Sequence, residues 1–500
     1  MSNSPSATPA AETAPTLETI ARKAFRGALA VGGRQAVVQG CNILGGILLA
    51  RLLSPPEYGI YAVFVFLLAF LAAFGDVGLG ASLIRQEAEP SVADYRAIFT
   101  AQQVLVVAVV AVVWLVAPAV AQAYGRPGDE AWLFRIVGLS VIFTSLQTIA
   151  AIQLERDLAF GKLAAIEIAQ ALVFNGLAVA LAWRGAGAAS IAWALLARAV
   201  AGALLVNLVR PWRIGLRRDW PRVRAHLRFG LPYQGTAFIS LVKDSITPVF
   251  IGLLLGPLEV GYVNWATMVA AYPVLALMVL QRVYFPAFSR LRSDPAGLGR
   301  LVEEVVRATN SVAAPLAALT LALMVPITRI VFGEQWLPAL PYFYFLWGAN
   351  LFVPTATPML GLLNALGESR TTLMFAGVWM LGTWLVGAPL VLAFGAIGYA
   401  AANLAVQFTN LALFRSAQSR IAFRIFAPAR AAWWAAALAG VVVHLLARVE
   451  PPTAIHGLIG YGAGGLALYV AALYLFDPRG VRRAVSWIRS ETWGLASRPS

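Results

Sequence analysis

Fourteen stretches of this 500-residue chain run for about twenty residues each with few or no charges, as in VLVVAVVAVVWLVAPAV at 104–120. A helix needs roughly 20 apolar residues to cross the hydrocarbon core of a bilayer. Backbone polar groups must be satisfied within the segment there, so helix is the form such runs take. The stretches fall near 30–53, 58–82, 97–121, 131–153, 163–183, 187–209, 230–255, 260–285, 306–331, 340–365, 372–394, 396–416, 430–448 and 456–476. Residues of the classes AVILMFWYC make up 60% of the chain and charged residues 12%. A soluble fold could not hide so much apolar surface. The expected class is an all-α polytopic membrane protein with about 14 transmembrane helices.

The loops set an orientation. Membrane proteins gather Lys and Arg in their cytoplasmic loops. With the N-terminus inside, the outer segments hold only Arg51, Arg126, Arg184 and Arg448, and the inner segments hold most of the other basic residues. Both termini are therefore expected in the cytoplasm. The same rule accounts for the net charge of +15, and no nucleic-acid partner is expected. Seven arginines crowd RPWRIGLRRDWPRVRAHLRF (210–229), between spans six and seven, where anionic membrane lipids would attract them.

One motif occurs twice. LLSPPEYG (52–59) returns as LLGPLEVG (254–261), an offset of 202 residues. The offset lays span one on span seven and span two on span eight. Each unit then holds six helices and starts from the same side, which is the parallel type of internal repeat. The expected order is a disordered tail (1–27), an N-lobe (28–209), the basic loop (210–229), a C-lobe (230–416), two further spans (417–476) and a tail (477–500). Within the motif, proline ends one helix and Glu57 sits at the positive start of the next. The motif itself reads as a helical turn, and its duplication as the sign of a two-lobed transporter.

LLARLLSPPEYGIYAVFVFLLAFLAAFGDVGLGASLIRQ (48–86) resembles the N-terminal signature of bacterial polysaccharide transporters. These are the O-antigen and exopolysaccharide flippases of the multidrug/oligosaccharidyl-lipid/polysaccharide exporter superfamily. The matching features are the L-[SG]-P-x-x-[YF]-G turn at Leu53–Gly59, FGDVGLG at Phe74–Gly80, and Ser82 to Gln86. The resemblance implies translocation of an undecaprenyl-pyrophosphate-linked oligosaccharide between the leaflets of the bacterial inner membrane. Glycosyltransferases or a polysaccharide polymerase would be neighbouring partners.

Ionisable groups inside spans are costly and usually face a cavity or one another. The resemblance places spans one, two, seven and eight around a central cleft, and Arg34, Asp76, Lys243, Asp244 and Arg282 fall on those spans. A pyrophosphate group needs several cations, which makes Arg34, Lys243, Arg282 and the mid-span Arg198 the candidate substrate-binding residues. Arg34 and Arg282 lie close enough to span ends to snorkel to the interface instead. Asp76, Asp244 and Glu167 are the candidates for ion coupling, Asp76 having a plain capping or hinge role as its alternative. Lys243 and Asp244 are neighbours on one helix and are expected to face different partners, with Arg198 open as a partner for Asp244.

No GxxxxGK[ST] or HExxH motif occurs, His226, His444 and His456 are far apart, and Cys41 is the lone cysteine. No cofactor, no metal and no enzymatic reaction are expected. A multidrug exporter of the same superfamily is the nearest alternative, and it would suit an acidic or neutral cleft. A membrane glycosyltransferase or polymerase is a more distant one, since the outer loops are short.

Overall fold

The computed structural model describes residues 37–76, 78–86, 88–212, 214–275, 277–478 and 480. The expected tail over 1–27, Arg34 and residues 481–500 lie outside the described residues. The first lobe comprises α1 (Val37–Leu52), α2 (Pro55–Asp76), α3 (Leu79–Arg85), α4 (Val92–Ala123), α5 (Trp132–Ser145), α6 (Thr148–Arg156), α7 (Phe160–Trp183) and α8 (Ala188–Val209). The second comprises α9 (Trp220–Asp244), α10 (Gly252–Leu255), α11 (Pro257–Leu275), α12 (Leu277–Arg290), α13 (Pro295–Ala322), α14 (Met324–Ile327), α15 (Leu340–Asn350), α16 (Val353–Ala365), α17 (Ser369–Phe394), α18 (Ala396–Gln407) and α19 (Asn410–Gln418). A final pair, α20 (Phe426–Val449) and α21 (Ile455–Phe476), packs on α13. No strand occurs among the described residues.

Twelve helical segments among the described residues are long and apolar enough to cross a membrane, two fewer than the fourteen expected. Several crossings are built from two helices in succession: Gly128–Arg156, Glu334–Ala365 and Ala396–Gln418. The two remaining expected spans fall on α1, described from Val37, and on α11 with α12. The reason for the second shortfall is physical. α11 carries Glu259, Tyr262, Asn264 and Trp265, and it packs between α2 and α15 with Trp265 fully buried. Its polarity belongs to a helix facing protein more than lipid.

Prolines set the helix starts. Pro55 opens α2 and Pro257 opens α11, positions where a fixed φ suits the first helical turn and no donor is lost. Just before Pro257, Gly256 turns with φ +88°, a conformation that glycine adopts without strain. The Glu57 carboxylate accepts from the Ser54 N–H at 2.9 Å and its hydroxyl at 2.8 Å, the carboxylate cap that the motif predicts. In the second copy, Glu259 accepts instead from the Tyr342 hydroxyl at 2.6 Å.

The two motif copies meet. A Cβ on Gly59 would overlap the Pro257 carbonyl oxygen, and a Cβ on Gly261 would overlap the Pro55 carbonyl oxygen. The relation is reciprocal: the glycine of each copy abuts the proline carbonyl of the other. Around it lies one core shared by both lobes, with Trp265 stacked on Trp336 at 5.3 Å and Tyr58 edge-on to Trp336 at 5.2 Å.

At the opposite end of the bundle the basic linker is docked on the first lobe. Arg222 pairs with Asp94 and Asp219, Arg210 with Asp157 at 3.2 Å, and the Arg217 N–H bonds the Thr100 hydroxyl at 2.8 Å. His226 Nδ1 lies 2.8 Å from the Ser82 hydroxyl. Burial of its imidazole holds the His226 pKa below the usual histidine range; the nearby Asp94 opposes this shift and Arg222 adds to it.

Candidate functional site

A cavity of about 560 Å³ opens between α1, α2, α5, α7, α8 and α11. Its wall is made of amides and hydroxyls set into otherwise apolar helices. Gln170 Nε2 donates to Gln147 Oε1 at 3.0 Å, and Gln147 Nε2 donates to the Ala199 carbonyl at 3.0 Å. Gly202 on α8 leaves room for both glutamines. Asn175 Nδ2 donates to Asn42 Oδ1 at 3.1 Å, which ties α7 to α1. These bonds fix the amides, because an unsatisfied amide in a low-dielectric setting costs about 1–3 kcal/mol. Tyr58, Tyr61 and Phe174 give aromatic surface, and Met268 and Tyr272 of the second lobe complete the wall. The Tyr58 hydroxyl meets Met268 Sδ at 3.2 Å across the lobe boundary.

Among the described residues, Arg198 is the one charged residue lining this cavity, and no carboxylate lines it. It stands one residue before Ala199, whose carbonyl Gln147 occupies. Among the described residues Arg198 has no hydrogen-bond or ion-pair partner, so its five N–H donors are open to a ligand.

The other expected site residues lie elsewhere. Lys243 lines a separate cavity of about 210 Å³ in the second lobe, with Trp379, Thr383, Asn403 and Asn410. Lys243 Nζ bonds Asp244 Oδ1 directly. The expectation that these neighbours face different partners, with Arg198 open as a partner for Asp244, is therefore corrected. The flexible lysine stem folds back over the single residue step, and the α-helix gives way to a π-turn at Ile246–Ile251 just beyond. Asp76 ends α2 and accepts the Gly80 N–H at 3.1 Å, bridging the turn in which Gly78 has φ +76°. This is the capping role named as its alternative. Glu167 is exposed on α7. Arg282 belongs to α12, with its side chain outside the described residues, as is all of Arg34.

The cavity is closed at the motif end by bonds between the lobes, which sequence reasoning missed. Trp336 Nε1 donates to the Ala50 carbonyl at 2.7 Å, and Gln335 Nε2 donates to the same oxygen at 2.9 Å. Arg51 Nη1 donates to the Ile330 carbonyl at 2.7 Å. The Tyr124 hydroxyl donates to the Pro248 carbonyl at 2.5 Å, an oxygen within the π-turn. Together they satisfy carbonyls that end α1 or lie in the π-turns Ile246–Ile251 and Thr328–Phe332.

Comparisons with known proteins agree with this architecture. Residues 48–341 match a family described as polysaccharide biosynthesis protein. The succinoglycan biosynthesis transport protein ExoT of Rhizobium meliloti is 25% identical over 460 residues, covering 89% of this chain and 91% of that protein. The lipopolysaccharide biosynthesis protein WzxC of Escherichia coli is 23% identical, covering 75% of this chain and 77% of that protein. Among solved structures, the lipid II flippase MurJ in an inward closed conformation superposes with a TM-score of 0.71 at 14% identity, over 91% of this chain and 99% of its own. An inward-facing multidrug resistance transporter of the MATE family, in the MOP superfamily, gives a TM-score of 0.58 at 15% identity, over 81% of this chain and 99% of its own. Both share the fold.

Proposed function

The chain belongs to the polysaccharide biosynthesis protein family, and from that premise we propose that it is a flippase for an undecaprenyl-pyrophosphate-linked oligosaccharide. The cargo is an O-antigen or exopolysaccharide repeat unit, moved from the cytoplasmic to the outer leaflet of the bacterial inner membrane. The names of the relatives, which describe transport of succinoglycan and lipopolysaccharide biosynthesis, support the cargo class. The motif end faces outward in this reading, with fourteen crossings and both termini in the cytoplasm.

The observation that carries the reading is the Arg198 cavity beneath the paired motifs. Amides and tyrosines are matched to sugar hydroxyls and ring faces, and an unpaired guanidinium is matched to phosphate oxygens. Among the described residues the cavity offers a cation and no carboxylate, which disfavours a cationic drug, so the exporter alternative fits less well. Alternating access consists of opening the motif-end bonds and closing the lobes at the linker end. Lys243, which lines the separate cavity of the second lobe, and Arg282 and Arg34 are the further cations nominated for the pyrophosphate. Asp76 is the coupling candidate that adjoins a turn between helices, where protonation would release the Gly80 N–H and free α3.

The test is transbilayer movement of a fluorescent lipid-linked oligosaccharide by the purified protein in proteoliposomes. Wild-type protein accelerates it and Arg198→Gln does not. Equal rates with and without wild-type protein would refute the proposal.

A further inference from the structure

A second basic concavity lies at the motif end, apart from the Arg198 cavity. It measures about 1090 Å³, and its walls include Arg51 at the end of α1, Arg329 in the π-turn Thr328–Phe332, Tyr344 of α15, His444 and Arg448 of α20, and His456 beginning α21. We propose that it is a binding site for the phosphate or pyrophosphate group of a membrane-held ligand.

Convergence carries the inference. A single arginine at a helix end is explained by snorkelling to the interface. Here three arginines from three separate parts of the fold, the first lobe, the second lobe and the C-terminal helix pair, line one hollow. Among the described residues no carboxylate lines it; Glu334, outside the lining, pairs at long range with Arg329 at 4.0 Å, and Arg51 and Arg448 pair with no carboxylate. Guanidinium forks suit phosphate oxygens, and a dianionic group needs more than one of them.

The hollow is also built. Arg51 is anchored through Nη1 to the Ile330 and Val331 carbonyls, which leaves its Nε and Nη2 donors. The Tyr461 hydroxyl bonds the Glu450 carbonyl at 2.8 Å and fixes the α20–α21 turn, while Pro451 and Pro452 stiffen it. Arg448, held at the base of that turn, has no hydrogen-bond or ion-pair partner among the described residues. An anion there would join α1 to the C-terminal pair and hold the motif end closed. The site stands on its own geometry and does not depend on the transport reading.

The experiment is calorimetric titration of inorganic pyrophosphate into the full chain in phosphatidylcholine nanodiscs. Every protein titrated carries Arg198→Gln, so that the guanidinium of the first cavity binds no probe, and the protein with that change alone binds pyrophosphate. The Arg329→Gln/Arg448→Gln double variant binds about a hundredfold more weakly, about tenfold for each lost guanidinium. Both side chains are exposed, and an unchanged melting temperature verifies the fold. Arg448→Lys, which keeps the charge and loses the fork, binds several-fold more weakly and serves if the double variant does not fold. Repeating the titration with phosphatidylglycerol in the disc separates the sources: competition identifies a lipid headgroup, and its absence identifies a pyrophosphate-bearing cargo. Either result supports the site. Equal affinities for the Arg198→Gln parent, its Arg448→Lys derivative and the double variant, or no binding of pyrophosphate by the parent, would overturn it.

Discussion

Gly59 lies against the Pro257 carbonyl so closely that any side chain would overlap it, and Gly261 stands in the same relation to the Pro55 carbonyl. Alanine at either position gains about 1 kcal/mol in intrinsic helix propensity. The overlap is with backbone, which cannot rotate aside as a side chain can, and overpacking of this kind costs about 1–3 kcal/mol. Overlap is therefore expected to win. Gly59→Ala and Gly261→Ala should each lower the melting temperature of the purified protein, and the double variant should fall by less than the sum, because one interface absorbs both. A higher melting temperature for either single variant would show that the helices can separate without cost.

Trp336→Phe removes the donor to the Ala50 carbonyl while keeping a ring beside Trp265. Gln335 still bonds the same oxygen, so the expected loss is about 1 kcal/mol, the net worth of one hydrogen bond. Trp336→Phe combined with Gln335→Leu orphans the carbonyl and should cost more than the two single changes together. Thermal unfolding of the four proteins measures this directly. Strict additivity would mean that the two donors do not share the Ala50 oxygen in solution.

Arg198→Gln keeps a polar side chain in the cavity and removes its charge. Protein level and melting temperature should match wild type, since the guanidinium has no hydrogen-bond or ion-pair partner among the described residues. Surface polysaccharide made by cells carrying the variant should fall at least about tenfold, the effect of one charged contact to phosphate. Normal surface polysaccharide would remove Arg198 from the substrate path.

His226 makes the linker contact sensitive to acid. Its pKa is depressed in the folded protein by burial, so the unfolded chain takes up protons first as pH falls. The stability contributed by the Ser82–His226 contact is complete above about pH 6.5, the ordinary histidine value, and is lost as pH falls through the lower folded-state value. His226→Gln should be less stable than wild type at pH 8 and approach it at pH 5. A constant difference between the two proteins from pH 8 to pH 5 would contradict the assignment.

The helices were legible in the sequence because lipid solvation writes them as long apolar runs, and prolines such as Pro55 and Pro257 mark where they begin. The motif echo, too, led to a real contact, since Gly59 and Gly261 meet across the lobes. α11 was less plain, for Glu259, which bonds Tyr342 of α15, and Asn264 dilute its apolar signal. Arg198 stood out as a charge at mid-span. The amides around it did not, because a search for charges passes over Gln147, Gln170 and Asn175. Amides recurring inside apolar helices were the available signal. Nothing local in Gln335 or Trp336 announces a bond to Ala50, 286 residues away in the case of Trp336. The Lys243–Asp244 pair was misread because helical spacing fixes where side chains leave the backbone, not where a long lysine stem ends.

If the lobes separate at the motif end during transport, joining them across their boundary stops it. Gly46 on α1 faces Met268 on α11 across the lobe boundary, with 3.4 Å between a Cβ placed on Gly46 and Met268 Sδ. In a Cys41→Ser background, Gly46→Cys and Met268→Cys can be joined by a short bifunctional thiol reagent that contains a cleavable disulfide. Transbilayer movement of the fluorescent lipid-linked oligosaccharide is then measured before joining, after joining and after cleavage. The account predicts transport in the first state, none in the second and recovery in the third. Undiminished transport by fully joined protein would contradict it.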